Sequence, residues 1–150
     1  MNILPVNYWI TVTVTAVVVV ACVILHYESL RALSDRLPMP KHHHRRRIII
    51  LILCLLALHI TEIWIFGASY YLLLQAGDFG HLSGLSETVL FDCVYYSASV
   101  FTTLGFGDIV PTGTLRFMTG TEALAGLTFI TWSASYTFLE MLKTWNHRDE

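Results

Sequence analysis

Between Trp9 and Leu25 the chain carries no charged residue, and Thr11, Thr13 and Thr15 are the only polar side chains there. As a helix this run is about 25 Å long, near the lower limit for crossing the hydrocarbon core of a bilayer. Two further apolar runs follow. One goes from Ile48 to Leu74, interrupted only by His59, Thr61, Glu62 and Ser69; the other goes from Phe117 to Leu142 and is rich in Ala, Gly, Thr and Ser. Such small residues let helices pack closely in lipid. Of the 150 residues, 55% are hydrophobic and only 13% charged, against about 25% charged in ordinary globular chains. The polar surface needed to enclose a core in water is missing. The formal net charge of -2 gives no basic footprint for nucleic acid. An all-α membrane protein is expected.

Basic residues set the expected orientation. Arg31, Arg36, Lys41, Arg45, Arg46 and Arg47 lie between the first and second spans, which marks that loop as cytoplasmic. The connection from Gln75 to Phe91 holds Asp78 and Glu87 but no Lys or Arg, and Lys143 and Arg148 follow the third span. The expected chain is therefore multi-pass in the plasma (inner) membrane, N-terminus outside and C-terminus in the cytoplasm. Tyr8 and Trp9, then Tyr70 and Tyr71, suit the membrane interfaces. No Lys or Arg precedes Arg31, which speaks against a signal peptide despite the Val19-Val20-Ala21-Cys22 box. Cys22, Cys54 and Cys93 stand singly, without metal-site or disulfide spacing, and read as apolar fillers.

The stretch from Val89 to Thr103 is apolar but too short to cross. Its length suits a re-entrant segment, tolerated at membrane depth only where protein or a water-filled cavity surrounds it. A short helix ending at Thr102 points its negative dipole end inward, favouring a cation. Gly105 and Gly107 then permit torsions closed to other residues, so the following backbone can turn its carbonyls to one side. Thr102-Thr103-Leu104-Gly105-Phe106-Gly107-Asp108 resembles the selectivity-filter signature of potassium channels, and residues 48 to 142 resemble their outer helix, pore helix, filter and inner helix. A phosphate-binding loop does not fit, since a third glycine and a lysine are missing.

The resemblance implies that K+ ions are the transported ligand, held by Thr103, Leu104, Gly105, Phe106 and Gly107, with carbonyl oxygens replacing the ion's hydration shell. It places Thr103 at the innermost position and Asp108 at the external mouth. Thr102, Tyr95, Tyr96 and Ser99 would support the filter, the tyrosine hydroxyls bonding filter backbone or Asp108. Ser99 stands where some family members carry a carboxylate, and Leu104 and Phe106 replace the commoner Val and Tyr. One pore loop per chain implies a homotetramer. The expected divisions are residues 1–47, an added N-terminal helix and basic loop; 48–142, the pore domain; and 143–150, a short tail. No organic cofactor is implied. A weakly selective K+/Na+ pore and a non-conducting assembly subunit are the alternatives.

His59 and Glu62, three apart on one helix face, read either as a proton-sensing pair or as an inter-helix hydrogen bond to the pore helix or Glu122. A metal site of His59, Glu62 and Glu122 comes together only if the fold is assumed, and for an enzyme His59 and Glu62 lack a nucleophile or a complete ligand set around them. Gly126 reads as an inner-helix bend or as close packing. His42, His43 and His44 run into Arg45, Arg46 and Arg47, which with Lys41 form a basic collar suited to anionic lipid. Pro38 and Pro40 interrupt the chain before it. Glu140 and Lys143 read as a helix-surface pair. Few residues follow Leu142 and no span has regularly spaced arginines, so gating is expected in the filter, the inner helix, or the first span and its loop.

Overall fold

The computed structural model describes residues 5–36, 44–85 and 89–146. Pro38, Pro40, Lys41, His42, His43, Glu87, Arg148 and the side chain of His44 lie outside the described residues. Four helices carry the fold: α1 Val6–Arg36, α2 His44–Ala76, α3 Leu90–Phe101 and α4 Leu115–Asn146. Two two-residue strands, β1 Leu82–Ser83 and β2 Val110–Pro111, flank α3. Among the described residues, Val6–Arg36 and Arg45–Ala76 are long and apolar enough to cross a membrane. With 32 residues α4 matches them in length, but Glu122, Glu140 and its many Thr, Ser and Gly residues dilute its apolar content.

α1 does not stop where its apolar run stops. With no Gly or Pro between Leu25 and Pro38, the helix continues past Leu25 through His26 to Arg36. His26 and Leu30 are buried there, so the buried face extends into a stretch that hydropathy alone assigns to the loop. α2 ends at Gly77, whose φ of 74° is the left-handed conformation that closes many helices.

The larger core forms where α3 wedges between α2 and α4. Phe66 and Tyr70 from α2, Tyr96 and Phe101 from α3, and Met118 and Phe129 from α4 are all buried in it. Gly67 allows the approach: a Cβ there would stand 2.8 Å from Val94 Cα. α1 lies along the outside of this wedge and runs parallel to α4. Thr11 Oγ1 meets Thr114 Oγ1 at 2.8 Å near one end, and His26 Nε2 meets Ser133 Oγ at 3.3 Å further along.

The loops on either side of α3 are tied together, which sequence reading did not anticipate. β1 and β2 pair antiparallel, Leu82 opposite Pro111 and Ser83 opposite Val110. The Thr112 N–H donates to the His81 carbonyl at 2.9 Å, and Thr114 N–H to that of Phe79, also at 2.9 Å. Two-residue strands carry little apolar periodicity, so the pattern leaves no trace in sequence.

At the opposite end the structure corrects two expectations. Arg47 is buried rather than lipid-facing, and its Nη2 pairs with Glu140 Oε2. Glu140 is equally buried, at 2% exposure, and its other oxygen takes Lys143 Nζ at 2.7 Å. The Arg47–Glu140 pair is therefore an inter-helix clamp between the start of α2 and the end of α4, while Glu140 and Lys143 pair along α4 as the spacing suggests. A buried carboxylate needs such a partner, because an unpaired charge in a low dielectric is costly. Arg45 and Arg46 remain exposed.

The contact at Gly67 yields a test. Gly67→Ala is expected to destabilise the protein by about 1–3 kcal/mol, because the methyl must push α2 and α3 apart. Gly120→Ala, where nothing lies within 4 Å of the added Cβ, should be neutral or slightly stabilising. Unfolding of both variants in mixed micelles checks the contrast.

Candidate functional site

α3 ends against the protein interior, and the segment after it is shaped by local hydrogen bonds. Thr102 N–H donates to the Ala98 carbonyl at 3.1 Å, Thr103 N–H to Val100 at 2.9 Å and Gly105 N–H to Ser99 at 3.1 Å. The Thr102 hydroxyl donates to the Ala98 carbonyl at 2.7 Å. Ser99 thus supports the segment through its main-chain oxygen, which needs no carboxylate side chain.

From Thr103 the backbone alternates in hand. φ is 60° at Thr103, 54° at Gly105 and 79° at Gly107, while Leu104 and Phe106 lie outside the positive region. Opposite-handed torsions on successive residues turn successive peptide units the same way, whereas a β-strand turns them alternately. Glycine adopts the left-handed torsion freely, but for a β-branched threonine it is an outlier. Such strain costs on the order of 1–3 kcal/mol and persists only where the surroundings fix it. Here the Thr103 amide is held by the Val100 carbonyl.

Residues 102–108 are all exposed, Leu104 at 65% and Phe106 at 64%. Added Cβ atoms at Gly105 and Gly107 would meet nothing within 4 Å, so one side of the segment is open. Asp108 closes it: its Oδ2 accepts from Tyr95 Oη at 2.8 Å and its Oδ1 from the Ile109 N–H at 3.1 Å. The Tyr95 ring stacks near-parallel on Phe106 with centroids 6.3 Å apart.

Tyr96 does something else. Its hydroxyl meets Thr119 Oγ1 on α4 at 2.8 Å and hydrogen-bonds neither Asp108 nor the backbone of residues 102–108. Beside it sits a buried knot that sequence reasoning missed. Glu122 receives Tyr70 Oη on Oε2 at 2.6 Å and contacts Ser97 Oγ through Oε1. Ser97 Oγ is also 2.9 Å from the Ile63 carbonyl. One hydroxyl holds one proton, so both Ser97 contacts are hydrogen bonds at once when Glu122 Oε1 carries a proton and donates to Ser97. The legible signal was spacing: Cys93, Tyr96, Ser97 and Val100 follow i, i+3, i+4, i+7, which places Ser97 on the buried stripe of α3.

Glu122 therefore does not partner His59 and Glu62. That pair turns the other way, to α1, where His26 Nδ1 lies 2.9 Å from Glu62 Oε1. His59 Nδ1 lies 3.1 Å from Glu62 Oε2. His26 and Glu62 are fully buried. His26 was overlooked because it ends the apolar run and reads as a loop residue. Gly126 faces the end of α3, where a Cβ would lie 2.9 Å from Phe101 Cα and nearer still to its carbonyl. Of its two readings, close packing is the one this geometry describes, and α4 runs unbroken through it.

A helix-wedge-helix unit with an irregular, one-sided segment at its centre defines a membrane pore class. Residues 58–143 match the family model described as Ion channel. The match covers more than half of the chain, which belongs to that ion channel family. Neither a curated protein nor a solved structure matches the chain.

The proton count at Glu122 is testable. Glu122→Gln supplies an amide donor to Ser97 and an acceptor to Tyr70, so it should cost less than about 1 kcal/mol. Glu122→Ala strands both hydroxyls and leaves a void, with an expected loss of about 2–5 kcal/mol. Equilibrium unfolding of the two variants decides; equal losses would mean that an ionised carboxylate is required.

Proposed function

We propose that the chain is the subunit of a homotetrameric, potassium-selective channel that conducts K+ passively down its electrochemical gradient. The observation that carries this reading is the exposed segment 102–108 with its alternating torsions at Thr103, Gly105 and Gly107. Irregular backbone is not tolerated against lipid, so other protein or a water-filled path must cover it. Four copies supply both: neighbouring chains cover Leu104 and Phe106, and the carbonyls of Thr103, Leu104, Gly105 and Phe106 ring the axis. Such a ring replaces the hydration shell of K+. The C-terminal end of α3 aims its dipole at the same place and adds a favourable field for a cation.

The same reading places the N-terminus outside and the C-terminus in the cytoplasm, with the basic collar at the inner leaflet of the plasma membrane. Within that collar Arg45 and Arg46, both exposed, are the described residues suited to anionic lipid. Arg47 is committed to Glu140.

Flux through purified protein in liposomes tests the function, with K+ inside, Na+ outside and barium as blocker. The expected result is barium-sensitive K+ efflux that exceeds Na+ flux at least tenfold. Gly105→Ala, which forces a side chain into a left-handed torsion beside the axis at a cost of about 1 kcal/mol per chain, should abolish it. Equal Na+ and K+ flux would refute selectivity, and a monomer in detergent would refute the tetramer.

A further inference from the structure

We propose that His26, His59 and Glu62 form a binding site for a divalent transition-metal ion of the zinc class, pinning α1 to the pore domain. One ligand atom from each residue falls within 4.8 Å of the other two. The two imidazole Nδ1 atoms stand 2.9 Å and 3.1 Å from opposite oxygens of the carboxylate. In a tetrahedral zinc site with bonds near 2.0–2.1 Å, ligand atoms are about 3.3 Å apart. The two nitrogen–oxygen contacts are within a few tenths of an ångström of that spacing, and drawing all three ligand atoms in from at most 4.8 Å takes shifts of about 1–1.5 Å. Two imidazoles and a carboxylate form a three-ligand zinc set, which leaves one position for water or another donor.

The surroundings also suit a metal. Ligating histidines use their second nitrogen on an outer partner that fixes the ring. His26 does this: Nε2 faces Ser133 Oγ on α4 at 3.3 Å, while its ring stacks on Phe129 with centroids 5.0 Å apart and lies 5.1 Å from Trp132. Both oxygens of Glu62 face imidazole nitrogens in a fully buried site. A buried carboxylate in an apolar shell calls for a cation, and a metal would supply it while leaving both histidines neutral. His59 retains 16% side-chain exposure, which gives an ion a way in. Its ring also touches Phe101, 5.9 Å between centroids, at the last turn of α3, so an ion bound here would brace the helix end from which residues 102–108 depart.

The site is tested by metal content, which does not depend on conduction. Full-length protein is stripped with chelator, equilibrated with micromolar Zn2+, desalted and analysed for metal per chain, with Co2+ absorption as a report of coordination geometry. A background carrying His42→Ala, His43→Ala and His44→Ala removes adventitious binding by that run. In that background the expected result is about one Zn2+ per chain with a tetrahedral Co2+ spectrum. His59→Gln and His26→Asn should each lower retention at least tenfold without moving the elution volume. Zn2+ should also raise the melting temperature of the parent protein and leave that of His59→Gln unchanged. Less than a tenth of an equivalent in the parent, or undiminished binding in both histidine variants, would overturn the proposal.

Discussion

Glu122 sits where the three helices of the pore unit meet, and its two oxygens reach two different neighbours. Tyr70 brings α2 to it, and Ser97 brings α3. Ser97 also reaches back to the Ile63 carbonyl of α2, while Tyr96 and Thr119 tie α3 to α4 one turn away. In lipid these contacts matter differently from similar ones in water. Apolar burial no longer separates helix from lipid, so association rests on close packing and on satisfying polar groups. A short helix such as α3, with 12 residues, cannot hold its place by span length. It is held by a polar knot on one side and by Gly67 and Gly126, which let α2 and α4 approach its backbone, on the other.

The segment after α3 depends on that placement. Thr103 holds its left-handed torsion with its amide and that of Gly105 tied to carbonyls of the last turn of α3, while Gly105 and Gly107 adopt theirs freely. At the far end Tyr95 grips Asp108, and the β1–β2 pair fastens the chain that leaves. Both ends of the segment are thus anchored to one helix and one loop of the same subunit, while its middle is left open. Anchored ends and an uncovered middle suit the proposed assembly, in which neighbouring copies would cover the segment.

Much of this was legible from the residues. The spans, the short apolar segment and the alternating glycines follow from lipid length and backbone sterics, which act locally. Side-chain partners were legible only where they lie on one helix or in the motif, as with His59 and Glu62, Glu140 and Lys143, and Tyr95 and Asp108; across helices a face has several candidate neighbours until packing selects one. Arg47 looked like Arg45 and Arg46, three residues in a row, yet a helix turns each to a different side and only Arg47 meets Glu140. Tyr95 and Tyr96 were likewise indistinguishable in sequence, and the helical turn between them sends one to the mouth and the other to α4. His26 was hidden by its position at the end of an apolar run, which hydropathy reads as a boundary.

That histidine changes the standing of α1. α2 carries His59 and Glu62 in the middle of a span, with His59 against Phe101 at the end of α3 and Glu62 turned toward α1. Without α1, Glu62 would meet lipid, where an acidic side chain at the centre costs about 2.5–3.5 kcal/mol even on the most lenient scale. α1 covers Glu62 and answers it with His26, and Ser133 of α4 answers His26 in turn. The polar pair on α2 and the histidine on α1 therefore account for each other. Placed in lipid alone, each would be a liability; together they make the N-terminal helix an integral wall of the pore unit rather than a tether attached to it.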